Sequence, residues 1–233
     1  MQIQTVTYHI TESLRNQIIQ GKLKAGQRIM DTDIISRLDV SRTPIREALK
    51  ILEAEGLITN KPRKGAFVAE YTLKDVWEVY TINAALYALA VDVAMDRISN
   101  GNIKKLKDIF QKMEEAVKEE IPDINKYQQF HFKFHDTLFQ ISMNARLRQI
   151  CNGMNNQIKR FSRKSFSDSK HLLSSCQTHK EILQAIEIGD KSSAKELIYT
   201  HVMEGLENLQ KILKDTGGIQ EGERLPTSFL RNW

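Results

Sequence analysis

The stretch over residues 40–57, which predicts a helix with a basic front end, constrains this chain more than any other. Ser41 can cap its start, because a serine hydroxyl accepts hydrogen bonds from the free amides of the first turn. Pro44 is tolerated near that start, where no backbone donor is needed. Gly56 predicts the end, since glycine readily takes the left-handed conformation that follows a helix. One face is apolar and carries Ile45, Ala48, Leu49 and Leu52.

The polar side chains of this helix crowd its front, where Arg42, Thr43, Arg46 and Lys50 lie. Arginine can bind guanine through two parallel hydrogen bonds, and the positive end of a helix favours phosphate. The pattern therefore indicates a helix whose first turn enters the major groove of DNA. Taken alone, it would also fit an ordinary amphipathic helix on a protein surface.

The neighbouring stretches favour DNA binding. The elements predicted around the basic helix are helices over residues 6–19 and 31–38 and short strands over residues 57–60 and 65–69. Asp39 and Val40 join the second helix to the basic helix at a helix-turn-helix spacing. The strands flank a basic turn at residues 61–64, which makes a β-hairpin wing.

This region resembles the winged helix-turn-helix of GntR-family bacterial transcription regulators. The resemblance rests on the stretches 41–49, 52–57 and 63–68, and it runs from about Val6 to Val68. It implies that Arg42, Thr43, Arg46 and Gly65 lie at positions that contact operator DNA. The DNA-binding residues expected are Ser41, Arg42, Thr43, Arg46, Arg63, Lys64 and Gly65. Thr32 and Asp39 stand where relatives often have arginine and glycine, which leaves the operator sequence open.

Composition fits two domains in a chain of 233 residues. Of the net charge of +5, the first 72 residues carry +3, so the basic excess is denser in the predicted DNA-binding part. Cys151 and Cys176 lack metal-ligand spacing and are expected to be reduced thiols. No apolar run approaches membrane-spanning length, and the N-terminus lacks a signal-peptide pattern. We therefore expect a cytoplasmic bacterial protein with no membrane partner.

The rest of the chain predicts an all-helical domain over residues 71–214. Its helices are expected over residues 73–98, 102–119, 123–142, 144–166, 170–188 and 191–214. Six amphipathic helices with short connections imply an antiparallel bundle. The expected fold is therefore mainly α, with a winged helix-turn-helix domain over residues 1–70, this bundle, and a weakly ordered tail over residues 215–233.

Four histidines in the predicted bundle are spaced as if they shared a site. His131 and His135 are four residues apart, so they project from one face of a helix. His179 and His201 lie equally far from the turn near Asp190, so two antiparallel helices place both imidazoles roughly 16 Å from that turn. Imidazoles converging from three helices suit zinc or another late first-row divalent metal. Histidines on helices are also common without any metal.

The bundle resembles the FCD ligand-binding domain attached to many GntR regulators, those of the FadR and VanR branches. The resemblance covers residues 73 to about 214, and six helices resemble the VanR branch. It implies a metal site in which His135, His179 and His201 match three family histidines, while His131 takes a place usually held by Asp or Asn. The expected metal is zinc, with nickel or iron as alternatives. His131 could instead give way to water, or the site could stay without metal.

The histidine at position 131 has a chemical consequence. Three imidazoles and a carboxylate around a divalent ion leave a net charge of about +1, whereas four neutral imidazoles leave about +2. This excess favours a small carboxylate effector bound directly to the metal. Asn83 and Tyr87 stand where relatives often have Arg and Glu, and an asparagine cannot pair with a carboxylate as arginine does. Asn83 and Arg160 are the expected effector contacts, although Arg160 could equally be a solvated charge.

We expect a homodimeric, sequence-specific transcription regulator, acting as a repressor, whose affinity for operator DNA is controlled by the effector and metal. Two winged domains would bind paired half-sites. A bundle that only dimerises is an alternative. A metal-dependent hydrolase is another, since a histidine site can activate water. It would need a general base, yet no Glu lies within a turn of His131 or His135, and Asp136 points to a neighbouring face. We therefore expect no enzyme.

Overall fold

A computed structural model describes residues 5–215 and divides the chain into two compact units. The N-terminal unit consists of residues 1–70 and 149–163, and the helical unit consists of residues 71–148 and 164–233. All but the first residue of the predicted tail over residues 215–233 lies outside the described residues.

The N-terminal unit is a winged helix-turn-helix, as the sequence predicts. Its described elements in chain order are α1 (Val6–Ile19), β1 (Arg28–Ile29), α2 (Asp31–Leu38), α3 (Arg42–Ala54), β2 (Ile58–Lys61) and β3 (Gly65–Val68). The strands form an antiparallel sheet in the order β1-β3-β2. β1 was not predicted, because two residues are too few to display an alternating pattern.

One hydrophobic core orients the helices of this unit. Ile10 and Ile18 of α1 are buried with Ile45 and Leu52 of α3, and Ala66 of the wing lies in the same core. Burying each large aliphatic side chain contributes about 1.5–3 kcal/mol. Because this apolar face of α3 is fixed inward, its opposite, basic face is held toward solvent.

Two residues with positive φ end the helices of the helix-turn-helix. Asp39 closes α2 at φ 49°, and its amide donates to the carbonyl of Ile35. Aspartate is one of the few residues other than glycine that visit this left-handed region, so the turn forms without the glycine that relatives often have. Gly56 follows α3 with φ 70°.

The predicted helical bundle is also present. Its helices are α4 (Leu73–Met95), α5 (Asn100–Lys118), α6 (Ile124–Ile141), α7 (Ala145–Ser165), α8 (Ser169–Ile188) and α9 (Lys191–Asp215). Capping boxes begin α4 at Thr72 and α5 at Ser99, where side chain and backbone satisfy each other's hydrogen bonds. α4 packs against α6 and α9, and α8 packs against α5 and α9.

α4 and α9 run antiparallel, which sets the level of the side chains between them. Near one end, Lys195 Nζ lies 3.1 Å from Asp92 Oδ1. Toward the other end, a Cβ placed on Gly205 would lie 3.4 Å from the ring of Tyr80. Residues halfway between these pairs therefore lie at the same level along the two helices.

The middle of α7 departs from the predicted division of the chain. We expected all of residues 71–214 in the helical domain, but residues 149–163 group with the N-terminal unit. Two side chains of this segment bind backbone carbonyls of the N-terminal unit. Gln157 donates to Glu55 O at 2.9 Å, and Arg160 donates to Ala69 O at 2.8 Å.

α4 also corrects the expectation that no segment approaches membrane-spanning length. Among the described residues, this helix of 23 residues has a window of mean hydropathy 1.2 and passes a test of length and composition for a membrane span. The apolar residues Val76, Ala84, Val91 and Ala94 are buried against other helices. Core helices packed in this way pass the same test.

Candidate nucleic-acid interface and metal centre

The front of α3 exposes the side chains predicted to contact DNA. Arg42, Thr43 and Arg46 are exposed, and within residues 5–215 neither arginine forms an ion pair. Ser41 is the N-cap residue, with φ −72° and ψ 166°, but its hydroxyl makes no capping hydrogen bond, unlike our expectation. That hydroxyl is exposed beside the free amides of the first turn, where it can bind a phosphate oxygen.

The acidic side chains of α3 and of Glu55, which follows it, are bound within the N-terminal unit. Hydrogen bonds hold Glu47 to Thr7 at 2.9 Å, Glu53 to Asn60 at 2.7 Å, and Glu55 to Arg15 at 2.8 Å. These contacts fix the carboxylates beside the core and the wing. The exposed front of the helix is therefore left with positive charge, which attracts the DNA backbone.

The wing is a second exposed region with basic side chains. Arg63, Lys64 and Gly65 are exposed at the turn between β2 and β3. Arg63 and Gly65 both have positive φ, at 60° and 90°. A side chain at Gly65 would be strained in this conformation, so the glycine lets the chain turn back into β3. Lys61 lies over the ring of Phe67, with Nζ 4.9 Å from its centroid.

Residues of α7 support α3 and the wing from within the same unit. The Gln157 amide donates to Glu55 O at the C-terminal end of α3. A Cβ on Gly56 would lie 2.3 Å from Gln157 Nε2, so this approach needs the glycine. Arg160, which we expected to contact the effector, donates to Ala69 O after the wing. Arg160 therefore belongs to the N-terminal unit, whereas the four histidines belong to the helical unit.

The four predicted histidines converge in the helical unit. His131 and His135 lie on α6, His179 on α8 and His201 on α9, and all four side chains are buried. Their potential ligand atoms lie within 4.8 Å of one another. The Nε2 atoms are separated by 3.1 Å for His131–His201, 3.3 Å for His135–His131 and 3.2 Å for His179–His135.

These separations fit a bound metal. Nitrogens about 2.0–2.1 Å from a tetrahedral zinc are about 3.3 Å apart. His179 Nδ1 lies 2.7 Å from Ser175 O, and because a carbonyl only accepts, this nitrogen carries the proton. The lone pair of the neutral ring is then on Nε2, which faces the other histidines. The Ser175 hydroxyl also lies 2.8 Å from the hydroxyl of Tyr127.

Burial keeps the imidazoles neutral. The pKa of His179 falls to about 4, because solvent is removed from its charged form, while the Ser175 carbonyl opposes the fall. Burial also holds the pKa of His131, His135 and His201 well below the ordinary value, and repulsion from neighbouring histidines adds to the effect. Neutral rings offer the lone pairs that a metal requires.

Asn83 and Tyr87 are buried one turn apart on α4, and Tyr87 contacts the histidine cluster. The antiparallel register of α4 and α9 places His201 level with the stretch between Asn83 and Tyr87. The ring of Tyr87 lies 4.7 Å from that of His135, in a T-shaped contact. Asn83 is 1% exposed, and its Oδ1 has no hydrogen-bond partner among the described residues. It is one turn from Tyr87 along the same helix face.

The roles of some residues around the histidines could not be predicted from the sequence. Ser175 orients His179 through its backbone carbonyl, which any residue would offer, so no side-chain pattern reveals it. Tyr127 and Phe166 enclose His131, and aromatic residues on an amphipathic helix look like ordinary core. Asp136, considered as a base for hydrolysis, is paired with Arg148 at 2.9 Å.

Comparison with known proteins matches both parts of the chain. Residues 7–68 match the family described as "Bacterial regulatory proteins, gntR family", and residues 78–204 match the FCD domain. The "Uncharacterized HTH-type transcriptional regulator YdhC" of Bacillus subtilis is 28% identical over 202 residues, covering 87% of this chain and 90% of the relative. The "Probable D-xylose utilization operon transcriptional repressor" of Paenarthrobacter nicotinovorans is 28% identical over 198 residues, covering 85% and 86%.

A solved structure shares the fold. "E. coli McbR/YncC" superposes with a TM-score of 0.77 at 18% identity, covering 92% of this chain and 100% of the other. Proteins with this pair of domains are regulators, not enzymes: the GntR part binds operator DNA, and FCD domains bind small effectors and often a metal. Since the FCD match spans more than half of its residues, the chain belongs to the GntR family of bacterial transcription regulators with a C-terminal FCD domain.

Proposed function

We propose that this protein is a homodimeric cytoplasmic repressor whose operator affinity is set by a small carboxylate effector bound beside a metal in the helical unit. The observation that carries the proposal is the convergence of four buried, neutral imidazoles within 4.8 Å in its FCD domain. Basic side chains exposed on α3 and the wing supply the DNA-binding part.

Each of the seven residues expected to contact DNA has an expected role. Arg42 and Arg46 contact bases and phosphates, because both extend from the first turns of α3 with no carboxylate partner in the described chain. Ser41 and Thr43 contact phosphate. At the wing, Arg63, Lys64 and Gly65 contact the backbone of the duplex. Two copies of the chain bind paired half-sites, since a two-fold dimer matches a palindromic operator.

The metal centre comprises His131, His135, His179 and His201. Their neutral nitrogen donors suit zinc, with nickel or iron as alternatives, and a zinc ion would supply positive charge to bind a carboxylate. Asn83 lies at the level of this centre and offers hydrogen bonds to an effector. His179 is the ligand whose orientation is fixed by a hydrogen bond to Ser175.

Native mass spectrometry with elemental analysis tests the dimer and the metal together, on protein purified without an affinity tag or added metal. We expect a dimer that retains a divalent transition metal. Duplexes selected from a random library then provide an operator probe for fluorescence anisotropy. We expect succinate or a shorter carboxylate to weaken operator binding by metal-loaded protein and to have no effect after chelation. Equal responses in both forms would contradict a metal-bound effector.

A further inference from the structure

We propose that the effector is a dianion, a small dicarboxylate held at one end by the metal and at the other by Asn83. This inference rests on the proposed function and specifies the ligand class. It is carried by two observations: the lack of buried carboxylates among the described residues, and the buried amide oxygen of Asn83, which has no partner among them.

The described residues supply no buried carboxylate to the centre. A metal-bound imidazole is neutral, so four of them leave the full +2 of a divalent ion. Between residues 5 and 215, no Asp or Glu side chain is buried. A net charge enclosed among buried side chains is unfavourable, because little water remains to solvate it. A monocarboxylate would leave +1, whereas a dianion neutralises the centre.

The part of the chain that the structure describes also offers no buried Lys or Arg to the far end of the ligand. Described Lys and Arg side chains are all at least partly exposed. The second carboxylate therefore cannot rely on a buried ion pair of the kind that arginine would give. It needs neutral donors within the helical unit.

Asn83 provides such donors. Its side chain is 1% exposed, and its amide oxygen has no partner among the described residues. The amide oxygen and nitrogen exchange places by a simple flip, so either can face a ligand, and the nitrogen offers two N–H groups. The α4–α9 register puts this amide level with His201, and Tyr87, one turn away, contacts His135. A two-ended ligand can therefore span from the metal to α4.

Calorimetry with matched ligands tests the charge. Succinate and succinamate share a skeleton but differ by one charge, as do malonate and malonamate. Titrations into zinc-loaded protein, slightly above neutral pH, are expected to give at least about tenfold tighter binding of the dianion in one of the two pairs. If the amide binds as tightly as the diacid in both pairs, the inference is wrong, although metal-dependent binding would leave the proposed function intact.

Paired substitutions at one position separate charge from ligand loss. His131→Asp adds a negative charge to the centre, and His131→Asn is its neutral match. We expect His131→Asp to lose the preference for the dianion and His131→Asn to keep it. Zinc content measured on both variants verifies that each retains the metal. Equal discrimination in the two variants would overturn the charge argument.

Asn83→Leu provides an independent test that leaves the imidazoles unchanged. It should weaken binding of the dianion about tenfold or more while zinc content stays the same. Unchanged affinity in this variant would remove Asn83 from the site. Absence of metal-dependent binding for all four ligands in the wild-type protein would contradict both the inference and the proposed carboxylate effector.

Discussion

His179 has the most completely defined environment of the four clustered histidines. Its Nδ1 donates to the Ser175 carbonyl, so its Nε2 carries the lone pair directed at the other rings. The sequence predicts that His179 and His201 lie at the same height, and their rings are 4.4 Å apart in the structure. Helix periodicity carries such information. The hydrogen bond that His179 donates to a backbone carbonyl does not depend on the type of residue 175, so it could not be predicted.

His179→Ala is expected to abolish metal uptake, because it removes one of four donors and the only one oriented by a hydrogen bond among those described. The metal-free protein should still bind operator DNA like wild type. Elemental analysis and fluorescence anisotropy measure the two properties. His9→Ala removes an exposed imidazole of α1 and serves as the control. Retention of stoichiometric metal by His179→Ala would show that the other three histidines suffice.

The stability of the metal-free protein should fall as pH is lowered. His179 has a pKa of about 4 when folded against 6.5 in an unfolded chain, so the unfolded state binds more protons between these values. Its stabilising contribution is complete above about pH 6.5 and is lost as pH falls toward 4. Thermal melts of chelated protein across this range measure the effect. An unchanged Tm would mean that the four imidazoles are not buried in solution.

At the scale of the element, α3 combines a buried stripe with an exposed basic front. The start of α3, its end and the spacing of its apolar residues can all be predicted from the sequence, because helix caps and a 3.6-residue period are local signals. The missing capping bond of Ser41 was not predictable, since it depends on a single side-chain torsion.

Arg46→Ala should weaken operator binding by about 1–3 kcal/mol without unfolding either unit. The side chain is exposed, so the folded protein loses no buried contact, while DNA loses a base or phosphate contact. Anisotropy on the selected duplex measures the change, with circular dichroism to verify the fold. Lys24→Ala is the control. It removes an exposed lysine of the same unit outside α3 and the wing, and this variant should bind operator DNA nearly as wild type does. Equal losses in both variants would indicate a general charge effect.

The contact between α7 and the end of α3 can be tested from both sides. Gln157→Ala loses one hydrogen bond to Glu55 O and should cost about 1 kcal/mol of unfolding free energy. Gly56→Ala should cost more, because its φ of +70° is strained for alanine and its Cβ would meet Gln157. Urea unfolding measures both. Asn152→Ala, at an exposed site of α7, is the matched control. Equal stability of all three variants would argue against a structural role for the contact.

For the whole molecule, composition and the order of the elements predict a winged helix-turn-helix followed by a helical bundle, and the fold confirms this class. The assignment of residues 149–163 to the N-terminal unit was missed. Gln157 and Arg160 lie far along the chain from the carbonyls they bind, and only the folded chain brings such pairs together.

A fragment that ends at residue 70 should therefore be less stable than the same segment in the intact chain. It lacks the side chains of Gln157 and Arg160, which bind Glu55 O and Ala69 O, so these two hydrogen bonds are lost. Hydrogen exchange of α3 amides, compared between fragment and full chain, measures this difference. Equal protection in the two would show that residues 149–163 are dispensable.

The discontinuity of the N-terminal unit limits how such regulators can recombine. A gene fusion that joins only the first seventy codons to a different effector-binding domain would omit residues 149–163, which also belong to the N-terminal unit. DNA specificity is therefore expected to change between relatives by point substitutions on the exposed face of α3 and on the wing, rather than by exchange of whole N-terminal domains. The reason is that residues 149–163, which belong to the N-terminal unit, are encoded within the part of the gene for the helical domain.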